Sequence, residues 1–146
     1  MTKFMITLET LRHNSTYLKD SLNLAIKMNA SEIFLIDVID PEELELIQSI
    51  EANVLDEAVA ERNADLTKVV ATIKEHYRFD KVEKIVITGD PKKQIVKATK
   101  DHEIDLLICG SHHYSNLEYV LIQGSVAAYL AKHARCNVMV LNKKLA

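Results

Sequence analysis

The chain has 146 residues, of which 48% are apolar and 27% charged, with a formal net charge of −3 at pH 7. That composition is ordinary for a globular protein, long enough for one domain with a sizeable core and too short for two. The near-neutral balance excludes a global field that would recruit nucleic acid or an anionic membrane, and no apolar run approaches the ~20 residues of a spanning helix.

The N-terminus passes from Met1-Thr2-Lys3 straight into Phe4-Met5-Ile6-Thr7-Leu8, a first strand, with no secretory apolar region. A cytoplasmic protein is expected, folded as a single domain over residues 1–146. Asn14-Ser15-Thr16 offers capping oxygens to a helix whose buried face would be Leu18, Leu22, Ala25 and Met28. Ile33–Val38 reads as a second strand, rich in residues that suit a pleated surface. Asp40-Pro41 then opens a long segment in which Ile47, Ile50, Val54, Ala58, Leu66, Val69, Ile73 and Tyr77 recur at intervals of three and four. This predicts a long amphipathic helix, acidic first and basic last, as the helix dipole favours. Part of Pro41–Ala52 has a loop as its alternative.

Lys84–Thr88 is the third strand, closed by Gly89. Asp90-Pro91 pairs an N-cap acid with proline at the first helical position, and Ile95, Ala98 and Thr99 follow on one side. Asp105–Cys109 is the fourth strand, closed by Gly110. A polar loop over Ser111–Asn116 leads to Gly124-Ser125, a helix through His133, and a last strand, Asn137–Leu141. Alternating βαβαβαβαβ with strands apolar nearly throughout predicts an α/β fold with a parallel sheet covered on both faces. Its ligand would sit at the C-terminal strand ends where the winding reverses.

Glycine is scarce. There are three, Gly89, Gly110 and Gly124, where an average chain of this length carries about 10. Two follow strands directly and the third opens a helix. Gly110 to Ser125 is therefore strand end, loop and helix N-terminus, an arrangement whose free amides suit a phosphate. The plainer alternative is a tight turn at Gly110 and a cap at Ser125.

Gly89-Asp90-Pro91, Asp105–His112 and Gly124-Ser125 with the helix and strand after them resemble the C-terminal half of the universal stress protein family. The N-terminal strand, the helix ending at Asn29-Ala30 and Ile33–Val38 fit its first half. The resemblance implies an open, doubly wound five-stranded parallel sheet of order 3-2-1-4-5 with helices on both faces. It implies a dimer joined through the last strand, at Val138 and Val140, and, in one branch of the family, bound ATP or AMP. Glu9 takes the place of the aspartate that meets ribose, flanked by Thr7 and Leu8. Val38 matches the position whose backbone meets adenine. Cys109, Gly110, Ser111, His113, Gly124, Ser125 and Val126 stand along the phosphate motif.

Three departures have physical consequences. His113 replaces the motif's second glycine, and its Cβ and ring restrict close approach to phosphate. The loop is one residue longer, with Gln123 at the extra place, which shifts the helix start. Glu9 is one methylene longer than aspartate. Against this, His112 and His113 supply side-chain donors for phosphate oxygens.

Rival chemistries lack residues. A cysteine phosphatase loop from Cys109 would need arginine where Ser115 stands. A receiver domain would need paired acids after the first strand, an aspartate ending the third and a lysine after the fifth; Asn142 occupies the last of these. Leu8–His13 has no glycine for a dinucleotide fingerprint. Adjacent His112 and His113 do not converge on one metal ion without further ligands. Cys109 and Cys136 read as buried, reduced thiols, Cys136 in the core near the end of the last helix, and His133 as a partner of that helix C-terminus. No catalytic constellation is present, so turnover would be at most that of a slow ATPase. Two functions remain: an adenine-nucleotide-binding stress or signalling domain, or a ligand-free dimerisation and interaction protein of the same fold.

Overall fold

The computed structural model describes residues 2–8, 15–42, 54–111 and 126–142. They form β1 (Lys3–Thr7), α1 (Ser15–Lys27), β2 (Glu32–Ile39), α2 (Val54–His76), β3 (Lys81–Thr88), α3 (Pro91–Asp101), β4 (Leu106–Ser111), α4 (Val126–His133) and β5 (Asn137–Asn142). The five strands make one sheet in the order β3-β2-β1-β4-β5. Every pairing is parallel, as the alternation of strand and helix requires.

Side-chain alternation along the strands builds a core on each face. Phe4, Ile6, Leu8, Ile33 and Leu35 join Tyr17, Leu22 and Ala25 of α1 and Leu66 and Ile73 of α2. Met5, Phe34, Ile36, Val38 and Leu107 join Ile95 and Ala98 of α3 and Leu130 of α4. The first two helices thus cover one face and the last two the other. Each fully buried large side chain contributes roughly 1.5–3 kcal/mol of transfer free energy.

Several boundaries differ from expectation. β3 begins at Lys81, not Lys84, because the chain outside β2 tolerates charge: Lys81 pairs with Glu83 at 3.1 Å, and Lys84 Nζ donates to Asn63 Oδ1 at 2.9 Å. β4 runs on to Ser111, so Gly110 lies inside the ladder opposite Leu141 instead of closing the strand. Met28 is 45% exposed, since α1 ends at Lys27 and the chain turns through Asn29 at φ 59°. The buried positions of α1 are instead Tyr17, Ser21, Leu22 and Ala25. On α2 the buried residues are Leu66 and Ile73, with Val69 and Tyr77 packed beside them. Ile47 and Ile50 lie outside the described residues.

The start of α3 follows the expected pattern. Asp90 Oδ1 accepts from the Lys92 N–H at 3.1 Å, with Pro91 in the first turn. Gly89 turns the chain at φ +143°, where an added Cβ would meet the Gln94 side chain at 3.0 Å. Ile95, Ala98 and Thr99 are buried.

Candidate functional site

β1 lies between β2 and β4, and the winding reverses there. After β1 the chain moves out through α1 to β2 and β3, then returns across the sheet to β4 and β5. The helices that follow β1 and β4 therefore lie on opposite faces, which makes the C-terminal ends of these two strands the position where open α/β sheets bind their ligands. The sheet carries Thr7, Leu8, Val38, Cys109, Gly110 and Ser111 to that end of the strands, and Val126 begins α4, partly buried against the second core. Glu9, His113, Gly124 and Ser125 lie outside the described residues, as do His112 and Gln123.

The floor of this end is tightly held. Leu8 is fully buried, and its N–H donates to Ile36 O at 2.9 Å. Thr7 is 4% exposed, and its hydroxyl lies 3.3 Å from that of Tyr17. Tyr17 in turn donates to Ile108 O at 3.2 Å. One phenol thus ties the first turn of α1 to both β1 and β4. Ser21 donates to Tyr17 O at 2.8 Å, closing the turn beneath it. Val38 and Cys109 are buried in the second core. Gly110 and Ser111 continue the β4–β5 ladder opposite Leu141 and Asn142.

Beside Val38 stands a charge that sequence reasoning passed over. Asp37 has a side chain 5% exposed, and its Oδ2 accepts from Arg62 Nη1 at 2.7 Å. Breaking such a buried carboxylate–guanidinium pair leaves a costly uncompensated charge. It fastens α2 to the end of β2 one residue before Val38. An acid inside the apolar run Ile33–Val38 was the available signal; its partner 25 residues away was not legible. Tyr17 was hidden likewise, since the helical periodicity pointed to Leu18.

The remaining candidates have structural settings. Cys109 is a buried thiol, whereas Cys136, expected in the core, is only partly buried just before the last strand. Burial pushes the Cys136 thiol up from its ordinary range. His133 lies in the last turn of α4 with its ring 4.3 Å from that of Tyr129, and Lys92 Nζ sits 5.9 Å from the Tyr129 ring centre. Among the described residues, no group of three His, Cys, Asp or Glu side chains is placed to hold a metal ion. No helix among them is long and apolar enough to cross a membrane.

An open parallel sheet whose winding reverses between β1 and β4 defines a doubly wound α/β protein. The model of the universal stress protein family matches residues 17–142, and the chain belongs to that family. It is similar to universal stress protein MJ0577 of Methanocaldococcus jannaschii, with 38% identity over 64 residues, covering 44% of this chain and 39% of that protein. A match to universal stress protein A-like protein of Arabidopsis thaliana spans 31% of its length, so the matched stretches cover about a third of these relatives. The solved structure of MJ0577 superimposes with a TM-score of 0.76 at 24% identity, over 99% of this chain and 98% of that one. A universal stress protein family protein from Arabidopsis thaliana, solved with AMP bound, matches with a TM-score of 0.63 at 22% identity, over 99% and 93% of the two chains. A universal stress protein solved in complex with cAMP matches at 0.69 and 20% identity, over 98% of each chain.

Proposed function

We propose that this chain works as one universal stress domain that binds an adenine nucleotide, ATP or AMP, at the C-terminal ends of β1 and β4. The observation that carries the reading is the placing of Gly110 and Ser111 at the C-terminal end of β4, beside β1 at the reversal of winding. Two relatives of the same fold hold AMP and cAMP. In this reading the backbone at Val38 meets adenine and Glu9 meets ribose. The phosphates lie against the amides of Gly110, Ser111, Gly124 and Val126, the Ser125 hydroxyl and His113. Thr7, Leu8 and Cys109 form the buried floor. The protein acts in the cytoplasm as a stress-response or signalling domain whose bound state alters a partner surface. It is a homodimer through β5, where Val140 is 41% exposed at the sheet edge.

Isothermal titration calorimetry with ATP, ADP and AMP tests this. Binding heat is expected with adenine nucleotides, and Gly124→Asp is expected to abolish it by placing a carboxylate beside the phosphates. Retained affinity in that variant would move the phosphates elsewhere. No heat from the native chain at millimolar nucleotide would overturn the reading in favour of a ligand-free interaction protein.

A further inference from the structure

β3 is the other edge of the sheet, and it is built unlike β5. It is eight residues long, and no described strand pairs with its outer side. A cleft of about 450 Å³ borders its first half, lined by Thr67 and Val70 of α2, by Val82–Ile85 and by His102 beyond α3. Such an edge is a template for another strand unless something blunts it. Lysines alone would blunt it by repulsion. Here the charges are of mixed sign: Asp80, Lys81, Glu83 and Lys84.

The backbone determines which groups face outward. Gly89 N–H donates to Ile39 O at 3.0 Å, while Ile39 lies in register with Thr88. In a parallel ladder the residues facing the neighbour alternate, so the odd-numbered residues of β3 bond to β2. Val82 and Lys84 turn their N–H and C=O groups outward. A second copy, antiparallel about a two-fold axis, must bring outward groups against outward groups. Centred on Val82, this pairs Val82 with itself, Lys81 with the second copy's Glu83, and Lys84 with the second copy's Asp80. Centred on Glu83 or Lys84, the axis would place that charge against its own copy. Centred on Ile85, it would set Lys84 against Val86 and Glu83 against Ile87. On Val86, it would forgo ion pairing.

We propose that β3 is a self-recognition edge, where two copies of this chain pair antiparallel about Val82, held by Lys81–Glu83 and Lys84–Asp80 contacts between copies. The side chains are already disposed for it. Lys81 and Glu83 share one face, 3.1 Å apart, so two copies form an alternating ring of charges. Lys84 Nζ meets Asn63 O at 3.3 Å and Asn63 Oδ1 at 2.9 Å on the α2 side, which leaves an ammonium proton for the carboxylate of the second copy. Asp80 is exposed, and no described residue engages its carboxylate. Its N–H is used by Ser31 O at 2.9 Å, so Asp80 contributes charge while Val82 contributes the backbone pairing. The contact is short and electrostatic, which makes it reversible and sensitive to salt. It is isologous, and it lies on the edge opposite β5.

The test is sedimentation velocity of the full chain, with charge reversals. Lys84→Glu and Asp80→Lys are each expected to remove one association step, and the Lys84→Glu/Asp80→Lys double variant to restore it. Raising NaCl from 0.05 M to about 1 M, where the Debye length falls to ~3 Å, is expected to dissociate the native contact. Carbodiimide cross-linking of mixed ¹⁴N and ¹⁵N native protein is expected to join Lys84 of one copy to Asp80 of another. That readout does not depend on any variant folding. Single reversals that leave the association unchanged, a double variant that stays dissociated, or inter-copy links that avoid these residues would each overturn the proposal.

Discussion

Tyr17 shows how little material joins the ends of β1 and β4 to the first helix. Its hydroxyl reaches Thr7 Oγ1 at 3.3 Å and Ile108 O at 3.2 Å, so one side chain spans α1, β1 and β4. Both contacts are long, and a buried neutral hydrogen bond is worth about 1 kcal/mol net. Tyr17→Phe is therefore expected to lower unfolding stability by about 1 kcal/mol, read from the urea midpoint at unchanged slope. Cys136 makes a separate prediction. Burial raises its thiol pKa, so the folded state holds the proton more tightly than the unfolded chain. The resulting stability is complete below the unfolded value of about 8.5 and is lost as pH rises through the folded pKa. Alkylation of Cys136 at pH 8 is expected to be slower in the folded protein than after unfolding, with thiolate reactivity appearing at higher pH. Equal rates in the two states would contradict it.

At the scale of elements, α3 is the clearest case of local chemistry deciding structure. Asp90 and Pro91 start the helix where the sequence says it starts, and Gly89 supplies a turn at φ +143° just before them. Removing the cap with Asp90→Ala is expected to cost about 1 kcal/mol, measured by thermal or urea unfolding. Edge and centre explain the elements that were harder to read. β1 and β2 are apolar because both faces are covered, and their limits came out within a residue. β3 sits at an edge, so Lys81 and Glu83 could join a strand that a search for apolar runs begins at Lys84. Gly110 misled in the opposite direction. A glycine after an apolar run reads as a turn, but pairing with Leu141 keeps it in the ladder.

At the scale of the molecule, the sheet joins stretches that are remote along the chain. Ile6 pairs with both Leu35 and Ile108, and the C-terminal ends of β1, β2 and β4 meet only because the winding reverses. The two outer strands then define two different edges. β5 presents Val140, 41% exposed, while β3 presents charges of both signs. An apolar edge and a charged edge respond differently to salt, since screening weakens ion pairs and leaves apolar burial intact. Salt titration of the assembly thus separates the two edges within one experiment.

The sequence by itself determined the alternation of strands and helices, the parallel sheet, the cap at Asp90 and the family to which the chain belongs. The first three follow from periodicity and capping residues, which act over a few neighbouring residues; the family was legible through the resemblance of the motif residues around Gly89, Gly110 and Gly124. Tertiary structure alone decided that Tyr17 braces β1 against β4, that Asp37 takes Arg62 as its partner, and that β3 carries its charges at the edge of the described sheet. Those are contacts between residues far apart in the chain. A side chain's local pattern states what it can do, and only the packing of the sheet states what it meets.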